Sequence, residues 1–179
     1  VKESKVRVRA AVKNSGYKFP GNRVTINLAP ADIRKEGTGF DLPAAVGILA
    51  AQGLLPPGAA DTYLLYGELS LDGRLKPTRG VLSMALATRA ANLALIIPQA
   101  KAREAGVVQG IDIYPAERLS QVMEFLNGRE PLAALTSEPP ALVASAPAYD
   151  EDFRDVRGQE PVKRALLIAA AGSHNVLRL

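Results

Sequence analysis

The residues with the clearest chemical potential are cations gathered near the start of the chain. The first 35 residues hold nine Lys and Arg side chains against two acidic ones, a net charge of +7. The other 144 residues therefore carry −3, because the formal net charge of the whole chain is +4. Clustered cations release counterions from phosphate backbones, so the pattern predicts a salt-sensitive contact with DNA. The alternative is a solvated helix face, and the positions concerned are Lys2, Lys5, Arg9 and Lys13.

The composition excludes several classes of catalytic and metal site. The absence of cysteine excludes disulfides, thiolate nucleophiles, zinc ribbons and iron–sulfur clusters. A single histidine, His174, excludes any multi-histidine metal site, and we predict no metal site. The sequence G-x-x-x-x-G-K-[ST], which cradles nucleotide phosphates, does not occur in the 179 residues. No apolar run reaches the ~18 residues of a membrane span and no signal segment opens the chain, which favours the cytoplasm.

Three acidic residues have both a chemical and a structural interpretation. Glu68 and Asp72 flank a predicted hairpin, and we interpret them as edge and turn residues rather than acid–base groups. Asp41 precedes an apolar run with Pro43 in its first turn, which is typical of a helix N-cap. A functional charge beside a loop is the alternative for Asp41.

The hydrophobic periodicity predicts an α/β domain in which strands alternate with covering helices. Asp72 and Gly73 predict a hairpin turn whose return strand covers residues 74–77. The helix over 79–92 is expected to place Leu82, Leu86 and Ala90 on one apolar face, with Val81 and Ala85 beside it. Helices are further predicted over 1–15, 41–51, 99–105 and 118–126, and strands over 23–28, 63–69, 93–97 and 111–114.

The composition changes after residue 129. Residues 130–149 contain four prolines among Ala, Ser and Thr, which predicts an extended linker. A second unit follows, with a helix over 161–171. We therefore divide the chain into residues 1–129, a linker over 130–152 and a second unit over 153–179. The strand-like run at 175–179 stops abruptly, which predicts that a parent protein continues past Leu179.

An ordered set of short motifs runs through the whole chain. They are N-S-G at 14–16, V-T-I-N-L-A-P-A-D at 24–32, F-D-L-P at 40–43, G-E-L-S-L-D-G at 67–73 and D-V-R-G-Q at 155–159. Together they resemble the ComM/YifB family of magnesium-chelatase-like AAA+ ATPases. The resemblance implies a Lon-protease-like α+β domain with a mixed sheet and covering helices, then a Pro-rich linker and the truncated start of an AAA+ module. It also implies a hexameric parent that processes DNA, as a branch-migration helicase in natural transformation.

The Lon resemblance implies where a peptidase dyad would lie. Lon proteases pair a Ser nucleophile with a Lys general base. The matching positions of this chain hold Gly39 and Leu82, and neither side chain can do that chemistry. We therefore predict no catalytic residue in the chain, and a peptidase-related domain of the Lon type remains an alternative.

The AAA+ resemblance implies a nucleotide contact in the second unit. In such modules the chain before the first helix lies against the adenine, which carries over to Val156, Gly158 and Gln159. Glycine permits close approach of the backbone, and a glutamine amide both donates and accepts hydrogen bonds. ATP and Mg²⁺ are expected in the parent, with its P-loop just after Leu179, and no cofactor in the fragment alone. A magnesium-chelatase subunit is the second alternative.

Overall fold

The computed structural model describes residues 2–27, 37–135, 153–172 and 176. The chain falls into two compact units that divide between residues 139 and 140. The first unit contains helices α1 (Lys2–Asn14), α2 (Asp41–Ala51), α3 (Val81–Ala90), α4 (Ala102–Ala105) and α5 (Leu119–Leu126), and strands β1 (Tyr63–Leu65), β2 (Glu68–Leu69), β3 (Leu75–Lys76), β4 (Ala94–Pro98) and β5 (Ile113–Ala116). A 3₁₀ turn, Gln99–Lys101, precedes α4. The second unit contains a 3₁₀ turn, Phe153–Asp155, and helix α6, Glu160–Ala171.

The first unit is organised around a three-stranded parallel sheet with the order β1-β4-β5. Tyr63 lies opposite Ala94, and Leu95 lies opposite Ile113. Strands β2 and β3 form a separate antiparallel hairpin with Leu69 opposite Leu75. Its turn includes Gly73 at a φ of +81°, a conformation that favours glycine. The predicted α/β class and the hairpin are therefore confirmed.

The core lies on both faces of the central strand β4. Ile96 faces a cluster that includes residues of α1, α2 and α5, whereas Leu95 and Ile97 face a cluster that includes residues of α3 and α4. All three side chains are fully buried. A parallel strand covered on both faces is continuously apolar, so this run predicts a central strand well.

Two predicted strands differ from the structure. Residues 23–27 are exposed and irregular, and position 28 lies outside the described residues. No strand in the described part of the chain pairs with them, and β-branched residues form a strand only where a neighbouring strand completes the ladder. The strand predicted over 63–69 divides at Tyr66 and Gly67, because the amide of Gly67 bonds to the carbonyl of Gly39 instead of to a strand.

The predicted apolar face of α3 is buried only on the side of Val81 and Ala85. Leu82 and Leu86 are each 43% exposed, and the helix buries Val81, Ala85 and Thr88 instead. Both sets have helical spacing, so periodicity alone does not choose between them. The side chains of Leu95 and Ile97 select the face that packs on the sheet.

The predicted linker is only partly described. The amide of Leu135 donates to the carbonyl of Ile113 at 2.7 Å, so the chain pairs with β5 at that residue. Residues 136–152 lie outside the described part. No helix among the described residues is both long and apolar enough to cross a membrane.

Candidate functional site

A buried carboxylate lies where α1, α2 and the β2–β3 hairpin meet. Asp41 is the first residue of α2, and only 1% of it is exposed. Arg7 Nε donates to Asp41 Oδ2 at 2.8 Å, and Ser4 Oγ donates to Asp41 Oδ1 at 2.5 Å. The predicted N-cap is therefore wrong, because Phe40 holds the cap position and the carboxylate bonds to α1.

The charge of Arg7 is used within the fold. The hydrogen bond to Asp41 raises the pKa of Arg7, and burial opposes that effect only in part. Glu3 adds a second, longer ion pair, with 3.9 Å between Arg7 Nη1 and Glu3 Oε2. Arg7 therefore joins α1 to α2, and it is not available as one of the cations counted in the first 35 residues.

A second set of bonds ties the turn before α2 to the start of the hairpin. The Thr38 hydroxyl donates to Glu68, whose predicted role was that of an edge residue. The amide of Gly67 donates to the carbonyl of Gly39 at 2.9 Å, and the amide of Leu42 donates to the carbonyl of Gly67 at 3.0 Å. We call the five side chains that converge here the Asp41 cluster: Ser4, Arg7, Thr38, Asp41 and Glu68.

A tyrosine ring lies beside the first of the two predicted dyad positions. Gly39 is buried, and a Cβ added there would fall within the ring of Tyr66. The hydroxyl of Tyr66 donates to the carbonyl of Arg79 at 2.8 Å, which holds the ring in place. Leu82 lies in the first turn of α3, where it is 43% exposed. The assignment of Gly39 and Leu82 as former dyad positions stays a prediction.

Three of the four predicted basic positions fall on one exposed face of α1. Lys5, Arg9 and Lys13 are exposed at successive intervals of four residues, and Lys2 begins the helix. The opposite face buries Val8, Ala11 and Val12. The Arg9 guanidinium lies 5.6 Å from the centre of the Phe19 ring, a cation–π contact. Of the described residues, none forms an ion pair with Lys5 or Lys13. We call Lys5, Arg9 and Lys13 the α1 face.

The predicted adenine contacts lie at a sharp turn in the second unit. Gly158 and Gln159 have φ values of +71° and +56°, and Gln159 is the N-cap of α6. The left-handed conformation is costly for a residue with a Cβ, by about 1 kcal/mol or more. The carbonyl of Gln159 accepts from the amides of Val162 and Lys163, both at 3.0 Å. Val156 is exposed, and no side chain of this unit is buried among those described.

Sequence reasoning missed most of the Asp41 cluster. Ser4, Arg7 and Thr38 acquire their roles from partners at least 30 residues away in the chain. The sequence does contain one signal of this cluster, a carboxylate at the start of a very apolar helix. If the helix buries that carboxylate, the carboxylate must be paired. In the described part of the chain, no group of His, Asp and Glu is arranged to hold a metal ion.

Comparison with known proteins assigns both units to one group of relatives. Residues 1–101 match the family described as "Subunit ChlI of Mg-chelatase", and residues 152–179 match "Magnesium chelatase, subunit ChlI". The chain is 44% identical to Competence protein ComM of Haemophilus influenzae, over 100% of the chain and 35% of that protein. It is 43% identical to an uncharacterized protein, YifB, of Salmonella typhimurium, over 99% of the chain and 34% of that protein. The chain thus spans about a third of the length of these curated relatives.

Proposed function

The chain belongs to the ComM/YifB family of magnesium-chelatase-like proteins, and from that membership we propose that it is the N-terminal part of an ATP-dependent DNA-processing machine. The observation that carries the proposal is similarity along the entire chain to a protein named for competence. In this proposal the parent is a cytoplasmic hexamer that hydrolyses ATP with Mg²⁺. It moves DNA branches during natural transformation, and the first unit is a non-proteolytic accessory domain with a Lon-like fold.

The α1 face supports a contact with DNA. Lys5, Arg9 and Lys13 are exposed along one side of the helix, while Arg7 is committed to Asp41. Cations without acidic partners can exchange their counterions for backbone phosphates. The alternative is that the same face packs against a neighbouring subunit. A measurement of DNA binding by the isolated chain distinguishes the two alternatives.

A salt titration tests this contact. We expect the chain to bind labelled DNA with an affinity that falls steeply as salt rises, and the variant K5E/R9E/K13E to lose most of it. Three lost phosphate contacts would reduce the slope of log affinity against log salt by about 2 on single-stranded DNA and by about 2.7 on duplex DNA. The matched control is R89E/R103E/R164E, which makes the same charge change at three exposed positions elsewhere. Equal losses in both variants would contradict a specific role for the α1 face.

The turn before α6 supports a contact with the nucleotide base in the parent. Val156 offers an exposed apolar side chain, and the left-handed Gly158 and Gln159 lie directly before the helix. In the full-length parent, Val156→Asp should raise the KM for ATP by more than it lowers kcat, because an apolar surface against adenine contributes to binding. Val162→Asp, also exposed but on α6, is the control. An unchanged KM in V156D would contradict this assignment.

A chelatase activity is a second candidate, because both family descriptions name Mg-chelatase. The test is insertion of Mg²⁺ into protoporphyrin by the full-length parent with ATP, followed by absorbance. We expect none, and steady metal insertion would replace the DNA-processing proposal.

A further inference from the structure

The return strand of the hairpin also pairs with the segment that leads into α5. The amide of Leu75 donates to the carbonyl of Glu117 at 2.8 Å, and the amide of Leu119 donates to the carbonyl of Gly73 at 2.9 Å. These two bonds flank an antiparallel bridge between Arg74 and Arg118. In such a non-hydrogen-bonded pair the two Cα atoms are about 4.5 Å apart and the side chains leave the ladder on the same side.

A third cation shares that side. Lys76 lies in β3, two residues after Arg74, which directly precedes the strand, so both side chains leave the extended chain on one face. Arg74, Lys76 and Arg118 are all exposed, whereas Leu75 and Leu119 are buried on the opposite face. The three cations line a groove of about 460 Å³, together with Gln99 and Glu117. We call it the cationic groove.

The positive charges in the cationic groove are only partly neutralised. Arg74 Nε lies 3.3 Å from Asp72 Oδ2. Within residues 37–135, neither Lys76 nor Arg118 forms an ion pair, although Glu117 is in the lining and Glu68 lies opposite Lys76 across the hairpin. Like charges directly opposite one another across a strand pair destabilise a fold. An anion that binds between them would remove that repulsion.

The position and the lining indicate which anion. Gln99 and Glu117 directly follow β4 and β5, so the cationic groove opens at the carboxyl ends of the parallel strands, where open α/β sheets bind ligands. No aromatic residue lines it, so it offers no platform on which a base could stack. Arginine guanidinium groups match the geometry of phosphate oxygens and bind them with paired hydrogen bonds.

We propose that the cationic groove binds phosphate groups, either along a nucleic-acid strand or on a free polyphosphate. Arg118 and Lys76 supply two cations that form no ion pair within residues 37–135, and Arg74 supplies the third. This proposal is independent of the α1 face and of the function proposed above, because it uses different residues on different elements.

The first test uses K76A/R118A with R89A/R103A as the control of equal charge change. A labelled single-stranded oligonucleotide is titrated at several salt concentrations. If a strand lies in the groove, K76A/R118A should bind about tenfold more weakly at low salt, and its salt slope should fall by about 1.4 for two lost contacts. The control should keep the wild-type slope.

The second arm titrates inorganic tripolyphosphate and follows the arginine side-chain NMR signals. Tripolyphosphate binding that K76A/R118A loses and the control keeps supports the groove as a site for free polyphosphate. If neither probe distinguishes K76A/R118A from the control, the proposal is overturned. The variant K5E/R9E/K13E is measured in parallel, so that a loss of DNA binding confined to it counts against the groove and not against the α1 face.

Thermal melting separates binding from folding. Removal of Arg118 should leave the melting temperature unchanged or raise it, because it relieves the repulsion with Arg74. A variant that binds more weakly and melts at a lower temperature would show that Arg118 is structural, which also overturns the proposal.

Discussion

The Asp41 cluster and the cationic groove meet at the β2–β3 hairpin, where Glu68 lies opposite Lys76, and they use charged side chains in opposite ways. In the Asp41 cluster a buried carboxylate is bonded to Arg7 and Ser4, and Glu68 accepts from Thr38. In the cationic groove Arg74 faces Arg118, and both are exposed. The first arrangement satisfies charge inside the fold, and the second leaves charge for something outside it.

The difference shows that residue type does not reveal what an arginine does. Arg7 belongs to a strongly basic segment, yet its charge is used to join two helices. Arg118 lies in an ordinary stretch of sequence, yet its charge has no acidic partner in the described first unit. Burial and pairing separate the two roles, and both depend on contacts between distant parts of the chain.

The largest expected effect comes from breaking the Asp41 cluster. Asp41→Ala leaves the Arg7 guanidinium with only its longer ion pair to Glu3, and the Ser4 hydroxyl without its acceptor. Loss of one member of a buried pair costs about 3–5 kcal/mol, and we expect the lower end because Arg7 can still reach solvent. Urea denaturation of wild type and D41A measures the change in the free energy of unfolding.

Two further variants complete this measurement. Asp61→Ala removes an exposed carboxylate and should change stability by less than about 0.5 kcal/mol. The double variant R7M/D41L replaces both charges, so it should be more stable than D41A. If D41A and D61A unfold alike, the buried ion pair does not stabilise the packing of α1 on α2.

The next effect concerns Gly39, beside the same cluster. Gly39→Ser adds a Cβ where the ring of Tyr66 lies, so the ring or the turn must move. Overpacking of this kind costs about 1–3 kcal/mol. Thermal and urea unfolding should show the loss, and a peptide-hydrolysis assay should show no activity, since Leu82 cannot act as a base.

A second substitution identifies the cause of that loss. In a Tyr66→Ala background the added serine has room, so G39S should cost much less than it does in the wild type. Tyr66→Phe keeps the ring and removes only the bond to the carbonyl of Arg79. A G39S penalty that is the same in the Y66A background would show that the ring is not what excludes a side chain at position 39.

The sequence predicted those elements whose signals are local. The apolar run of β4, the Asp72-Gly73 turn, and the extents of α1, α2 and α5 all follow from neighbouring residues. The strand expected at 23–28 and the buried face of α3 depended on which other element lay alongside. Periodicity places residues on a face, but only the neighbouring sheet decides that Val81, not Leu82, is buried.

The candidate sites divide in the same way, into those with local sequence signals and those that depend on contacts between distant residues. The exposure of Lys5, Arg9 and Lys13 could be predicted from helical spacing alone. The interpretation of Asp41 as an N-cap failed because its partners, Ser4 and Arg7, lie on another helix. The cationic groove was invisible because Arg74 and Arg118 are 44 positions apart and meet through backbone pairing alone.

A smaller effect of opposite sign is expected in the cationic groove. Arg118→Ala removes one of two like charges that face each other across a bridge, so it should stabilise the fold by about 0.2–1 kcal/mol in low salt. The gain should shrink in high salt, which screens exposed charges. Urea denaturation at two salt concentrations measures both quantities. A loss of stability in R118A would remove the contrast between the two regions.

The smallest effect is the acid response of Asp72, the one carboxylate among the described residues that is paired with a cation of the groove. A hydrogen bond from the Ser70 hydroxyl, and then one from the Arg74 amide, lower the pKa of Asp72 below its ordinary value. A carboxylate with a lowered pKa stabilises the folded state fully above its unfolded pKa of about 3.9, and that contribution is lost as the pH falls through the folded pKa. Asp72→Asn has no such titration, so the wild type should melt higher than D72N near pH 5, and the difference should shrink as the pH falls toward about 2.5.

Ser70→Ala removes the largest cause of the lowered pKa of Asp72 and should weaken this pH dependence while Asp72 remains. A difference between wild type and D72N that is constant across this range would mean that Asp72 does not stabilise the turn through its charge, and that Arg74 is no better neutralised than Arg118.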